Sequence, residues 1–286
     1  MRRRSLLASG VALLGSGLAG CLGQSGDDTA TESPTRSETP TTSDTEPVTD
    51  ADVSLSASVE RLQPGAVVLG VDSISTVGDG SQYLYYRVDV TDGDPPDRLD
   101  FGFRYGGDIY SPGIDTGGQL WRESRTDDRY TAERGEGWLV FELPATRAAR
   151  HAALTVGSTE WPVGESVRER LGAPAPSLSL DWNVDAEQTP GETPMSFAVT
   201  NDGDRDTRFV AALNAENIDA AYAPIEAFSR RIPGGETVSW EFVHENGVAP
   251  GSNAVSDGEV DGRYTLDWTG GRREQAVRFV AEPSSE

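Results

Sequence analysis

The chain has 286 residues, with 47 Asp and Glu against 24 basic residues, a formal charge of -23 and a single cysteine. So acidic a protein repels nucleic acid and anionic lipid. Every basic residue is Arg, and the absence of lysine removes Walker-type phosphate loops and Schiff-base chemistry, both of which need an amine.

The first twenty residues read as a secretory signal. Arg2, Arg3 and Arg4 form a basic start, an apolar stretch runs from Leu6 to Gly20, and small residues close it. As a helix this stretch reaches about 22 Å against a hydrocarbon core of roughly 30 Å, too short for a permanent span. The run Arg3-Arg4-Ser5-Leu6-Leu7 resembles a twin-arginine export signal, and Leu18-Ala19-Gly20-Cys21 resembles a lipobox. That resemblance implies removal of residues 1–20 and lipidation of Cys21. The competing reading, that Cys21 is one more small apolar residue, leaves unexplained why the lone thiol stands directly after the signal. Two acyl chains hold a protein firmly where one holds marginally. The expected location is therefore the extracellular face of a cell membrane, with no free thiol and no redox chemistry left in the mature chain.

The Arg-only basic set, the acid excess and the export signal together resemble the secreted proteins of halophilic archaea. Molar salt shortens the Debye length to about 3 Å and screens the self-repulsion of such a surface, so lowering the salt is expected to destabilise the fold. Residues 21–52 follow as the lipid-anchored linker. After Cys21 this segment contains eight Thr, four Ser, three Pro, eight acidic residues and no aromatic residue. It cannot bury enough apolar surface to offset the entropy of ordering, and reads as a disordered, self-repelling tether spanning roughly 30 Å or more. Its hydroxyls are candidates for O-linked sugar. No Asn-X-Ser/Thr sequon occurs in the chain.

From residue 53 the pattern turns to period-two alternation interrupted by Gly, Asp and Pro, the mark of half-buried antiparallel strands. Val53, Leu55, Ala57 and Val59 form one row, and Leu84, Tyr86, Val88 and Val90 another. Leu99–Tyr105, Gly137–Leu143 and Ala152–Val156 are further strands, and Ala145–Ala153 is the one place for a turn or two of helix. Gly172-Ala173-Pro174-Ala175-Pro176 reads as a short interdomain linker. Alternation resumes through Leu178 to Val184, Met195 to Val199, Phe209 to Leu213, Pro224–Ile232, Val238 to Phe242, Tyr264 to Trp268, and Val277 with Phe279. Seven strands in about 110 residues suit an immunoglobulin-like sandwich. The expected fold class is all-β, with two antiparallel β-sandwich domains at 53–170 and 177–283.

In the first domain, Arg134-Gly135-Glu136-Gly137-Trp138-Leu139-Val140-Phe141-Glu142-Leu143-Pro144, with Tyr85-Tyr86-Arg87-Val88-Asp89-Val90-Thr91 upstream, resembles the telokin-like immunoglobulin-like domains of prokaryotic lipoproteins. In the second, Phe197-Ala198-Val199-Thr200-Asn201-Asp202-Gly203-Asp204 and Ile232-Pro233-Gly234-Gly235-Glu236-Thr237-Val238-Ser239-Trp240 resemble adhesion-type immunoglobulin-like modules of archaeal and bacterial surfaces. Both resemblances imply architectural or binding modules without a catalytic site or cofactor.

The search for chemistry yields few sharp candidates. Asp92-Gly93-Asp94 with Asp97, and Asp202-Gly203-Asp204 with Asp206, have spacings that suit Ca²⁺, but Asp-Gly and Asn-Asp-Gly are equally hairpin turns, and no metal site is expected. Carboxylate pairs for glycoside hydrolysis occur everywhere among 47 acids and so carry little information. His151 and His244 read as surface residues. The most suggestive segment runs from Gly106 to Glu136, where Trp121 stands among Arg122, Arg125, Arg129 and Arg134; a flat aromatic beside guanidinium groups suits an anionic sugar or a protein partner. The other reading is a core Trp with the Arg residues paired to neighbouring acids. Tyr83 and Tyr85 face away from the Leu84 row, available for stacking on sugar or for cross-strand packing. The functional expectation is a non-catalytic binding or structural surface module, alternatively an accessory solute- or carbohydrate-binding lipoprotein serving a transporter or surface enzyme. A pocket lined by Trp121, Tyr83 or Tyr85 favours the solute binder, and flat exposed aromatic patches favour an adhesion module.

Overall fold

A computed structural model describes residues 53–114, 119–121, 128–248 and 260–280. The signal, the tether, Cys21, Arg3, Arg4, Leu18, Ala19, Gly20, Arg122 and Arg125 lie outside the described residues. Those that are described fall in a single compact unit, an all-β sandwich fold of antiparallel sheets without a barrel.

The N-terminal half contains β1 (Ser54–Gln63), β2 (Ala66–Leu69), β3 (Ile74–Val77), β4 (Ser81–Asp92), β5 (Phe101–Tyr105), β6 (Asp108–Tyr110), β7 (Gln119–Leu120), β8 (Glu136–Pro144), β9 (Ala153–Val156), β10 (Thr159–Pro162) and the helix α1 (Glu165–Leu171). They form sheets in the orders β1-β4-β8, β10-β9-β5-β6 and β3-β2-β7. The C-terminal half contains β11 (Leu178–Val184), β12 (Glu187–Gln188), β13 (Glu192–Asn201), β14 (Thr207–Glu216), β15 (Tyr222–Ile232), β16 (Thr237–Glu245), β17 (Gly262–Trp268) and β18 (Gly271–Phe279). Here the sheets are β11-β13-β16 and β12-β18-β17-β14-β15, and the short β12–β18 pair is parallel.

Each half owns a core built by alternation. Leu84, Tyr86 and Val88 of β4 pack with Phe101, Phe103, Tyr105 and Phe141. Phe197, Val199, Phe209, Leu213, Tyr264 and Leu266 fill the second core, where the Trp240 ring stacks on Phe197 at 4.9 Å and 2°. Each large side chain so buried contributes about 1.5–3 kcal/mol.

Three details depart from the sequence reading. The helix lies at Glu165–Leu171, and Ala145–Ala153 carries only bends and a single turn before Ala153 opens β9. Contacts to other segments set its path instead: Ala145 N–H donates to the Gly80 carbonyl and Arg147 N–H to the Tyr105 hydroxyl. Leu99 stays outside β5 and is 67% exposed, because Asp97 and Asp100 bond each other's backbone amides and fix a 3-10 turn over Arg98–Asp100. β2 and β3 carry no clear alternation, being short strands with much of their surface buried.

One glycine is required by a close approach. Gly137 has φ +140°, and a Cβ there would lie 2.4 Å from the Tyr130 amide nitrogen, where the Arg129–Tyr130 backbone crosses β8. The Gly172–Pro176 strap is also engaged: Arg205 donates to the Pro174 carbonyl at 3.2 Å, and Gly203 packs against Pro176.

Candidate functional site

Alternation leaves a second face on β4 and on β14, and both are covered. Tyr83 and Tyr85 pack with Ala66, Val68, Leu120, Trp138 and Val140. Val210 and Ala212 of β14 pack with Val67, Ile74, Trp121 and Ala227. The small β3-β2-β7 sheet therefore fills a seam between the halves, and polar groups fix it there. The buried Asn214 amide takes the place of a strand partner for Ile74, accepting from its N–H at 2.8 Å and donating to its carbonyl at 2.8 Å. Asp267 accepts from the Thr76 amide at 3.1 Å and the Thr76 hydroxyl at 3.0 Å. Ser229 donates to the Gln63 side-chain oxygen at 2.8 Å.

Within this seam lies a cavity of about 40 Å³. Tyr85, Trp121 and Trp138 form its aromatic walls, and Arg61, Gln63 and Ser229 supply polar groups. The Arg61 guanidinium sits over the Tyr85 ring at 4.1 Å from its centroid, and Tyr85 meets Trp138 at 5.7 Å. The Arg61 Nε–H is buried and has no hydrogen-bond acceptor.

The structure thus brings Trp121 and Tyr85 into one cavity but not onto a surface; they are 6% and 5% exposed, and Tyr83 is 0% exposed. An exposed stacking platform is corrected by this burial, whose cause is the sheet that covers the outer face of β4. Arg129 lies elsewhere, in a parallel bridge to Trp138 at the crossing over Gly137. Arg61, Gln63, Trp138 and Ser229 were missed because they come from three strands, β1, β8 and β15, that lie far apart in the sequence. A cation near aromatic residues was the available signal, but the wrong Arg was adjacent in sequence.

A wider groove of about 710 Å³ opens along the same seam, lined among others by Thr76, Asp79, Ser81, Tyr83, Glu142 and Asp267. Two of its three carboxylates are in use: Ser81 donates to Glu142 at 3.1 Å, and Asp267 holds Thr76. Among the described residues no three His, Cys, Asp or Glu converge as a metal set. Asp206 of the second acidic loop is taken by Arg231 and the Gly234 amide, which hold its carboxyl below the usual range. Asp97 of the first belongs to the 3-10 turn.

His244, expected on the surface, is 8% exposed at the end of β16. Its Nδ1 lies 2.9 Å from the Tyr264 hydroxyl and its Nε2 3.0 Å from Asp219. Asn246 donates to the Thr193 hydroxyl at 3.1 Å, and Thr193 bonds Tyr264. With His244 neutral, donors run one way from Asn246 through Thr193, Tyr264 and His244 to the Asp219 carboxylate. Burial pushes the Tyr264 phenol up to about 12 and His244 down, against the opposing effect of Asp219. Tyr264 is 0% exposed, so this chain resembles a catalytic relay in composition but offers no reachable nucleophile.

No family model and no curated protein matches the chain. Among solved structures, the chain is similar to a β-glucosidase, EmGH1, from Erythrobacter marinus, with 16% identity over 43% of this chain and 17% of that one, at a TM-score of 0.28. It is also similar to a calcium-binding mutant of Bacteroides uniformis beta-glucuronidase 2, with 10% identity over 79% of this chain and 33% of that one, at a TM-score of 0.25. The chain spans a third or less of those proteins, and likenesses this slight carry no functional argument.

Proposed function

We propose that the protein is a twin-arginine-exported lipoprotein, anchored through Cys21 on the extracellular face of a cell membrane, whose acidic tether presents two immunoglobulin-like sandwich domains, 53–170 and 177–283, as a non-catalytic binding module. The binding reading rests on one observation: Trp121 and Tyr85 wall a seam cavity with Trp138 and Arg61. Aromatic residues enclosed in a pocket favour capture of a small solute over adhesion through a flat patch. Presentation of that solute to a transporter or surface enzyme follows from the anchor. The acidic exterior supports a role away from nucleic acid, and partners are the membrane, a solute and a surface protein.

The test compares the full-length protein with Cys21→Ser in cells grown at native salt. The wild type should sediment with membranes, lose residues 1–20, carry fatty acid on Cys21 and be cleaved by protease added to intact cells. Cys21→Ser should be released. Unprocessed wild-type protein in the cytosol would defeat the anchor. A thermal-shift panel of neutral, cationic and anionic small solutes on the detergent-solubilised wild type tests the binding reading, which fails if none raises the melting temperature.

A further inference from the structure

Arg61 stands out from the other charged groups of the seam. The chain carries 47 acids to 24 Arg, yet no acid forms an ion pair with Arg61 among the described residues. Its guanidinium spends one face on the Tyr85 ring at 4.1 Å. Stacking of this kind leaves the in-plane N–H edge available, and the Nε–H on that edge is buried with no acceptor. Arg61 as a whole is half-buried, but a buried N–H without an acceptor is costly, and such groups in folded proteins have a partner, often a water or an ion.

The cavity that Arg61 lines limits what this partner can be. At about 10–15 Å³ for each water-sized group, its volume of about 40 Å³ takes roughly three to four heavy atoms. That excludes a sugar ring and admits a group the size of a carboxylate. The flat aromatic walls of Trp121, Trp138 and Tyr85 fit a planar group, and a carboxylate placed beside the guanidinium pairs with two of its N–H donors at once. A water molecule satisfies one donor at a time, whereas a carboxylate takes two and adds the opposite charge. Ser229, on the opposite half of the seam, lines the same space, with its hydroxyl donated to Gln63.

Building on the solute-capture reading, we propose that the cavity is a binding site for a small carboxylate, either a short-chain acid or the acid head of a larger solute, held by the edge of the Arg61 guanidinium between aromatic walls. The site is then assembled from both halves, with Arg61 and Tyr85 from one and Ser229 from the other, so an intact seam is a condition of binding.

The experiment uses the full-length protein in detergent micelles in molar sodium sulfate, whose anion is tetrahedral and too large for the cavity. Potassium acetate and, separately, the neutral isostere acetamide are titrated while tryptophan fluorescence and heat are recorded, since two of the walls are indoles. Acetate should give a saturable one-to-one response and acetamide none. Arg61→Gln should weaken acetate at least tenfold, and Arg61→Lys should weaken it less. If Arg61→Gln fails to fold by circular dichroism, saturation transfer from indole protons to the acetate methyl in the wild type supplies the readout, and its presence supports the site. Equal responses to acetate and acetamide, or an acetate response unchanged in a folded Arg61→Gln, would overturn the carboxylate proposal while leaving a neutral-solute module standing. Silence toward acids and toward the whole solute panel would overturn both.

Discussion

Two tyrosines, one in each half, are fully buried and serve opposite kinds of network. Tyr105 donates to the Leu171 carbonyl at 2.6 Å and receives the Arg147 amide at 2.6 Å and the Gln82 side chain at 3.1 Å. Its partners are backbone groups and an amide, none of which titrates near neutrality, and one of them closes the C-terminus of α1. Tyr264 lies against an imidazole and, through it, a carboxylate. Both arrangements tie distant segments to a core by satisfying buried polar groups, but only the second depends on a protonation state. The same packing requirement thus produces one pH-indifferent clasp and one pH-sensitive clasp.

The largest expected effect comes from the third polar device, at the seam, which joins the halves. Asn214→Ala leaves the Ile74 N–H and carbonyl without partners and should cost about 2–5 kcal/mol in denaturant unfolding at molar salt. A loss near zero would mean that apolar packing alone holds the seam. Tyr105→Phe should cost about 1–3 kcal/mol, by the same amount at pH 8 and pH 5, because nothing it touches titrates between them. Tyr264→Phe should cost about 1–2 kcal/mol at pH 8 and less at pH 5; identical losses at the two values would erase the distinction between the two tyrosines.

The smallest effect is the slope of stability with pH. Burial, the leading cause, holds His244 below its ordinary value of 6.5 in the folded protein. The unfolded chain titrates near 6.5 and so binds more protons just below that value, and stability rises with pH across this interval. The contribution of His244 is complete above pH 6.5 and is lost as the pH falls through 6.5 and then through the folded value. His244→Gln should flatten this part of the stability profile, measured as unfolding midpoints from pH 8 to pH 5; a wild-type profile already flat there would remove the pH-sensitive clasp.

Much of the strand pattern was legible because half-buried strands write their burial into alternate residues. β4, β11, β13, β14, β16 and β17 all follow rows visible in the chain. β2 and β3 were not legible, since four residues are too few to display a period, and α1 was not, since its seven residues bury only Leu171. The candidate site was half legible. Trp121 and Tyr85 could be singled out by residue type, but their neighbours Arg61, Trp138 and Ser229 converge only after β1, β8 and β15 are placed around the seam.

The chain by itself determined the all-β class, through alternation and turn residues acting locally, and the expectation of an exported, lipid-bearing protein, through a signal read one residue after another. Only the tertiary structure decided that the outer faces of β4 and β14 are buried, that His244 is enclosed beside Asp219, and that the guanidinium of Arg61 meets an aromatic cavity. Period and spacing report which side of a strand a residue occupies; what lies against that side depends on contacts between segments more than a hundred residues apart, such as Ile74 with Asn214, and no local pattern encodes them.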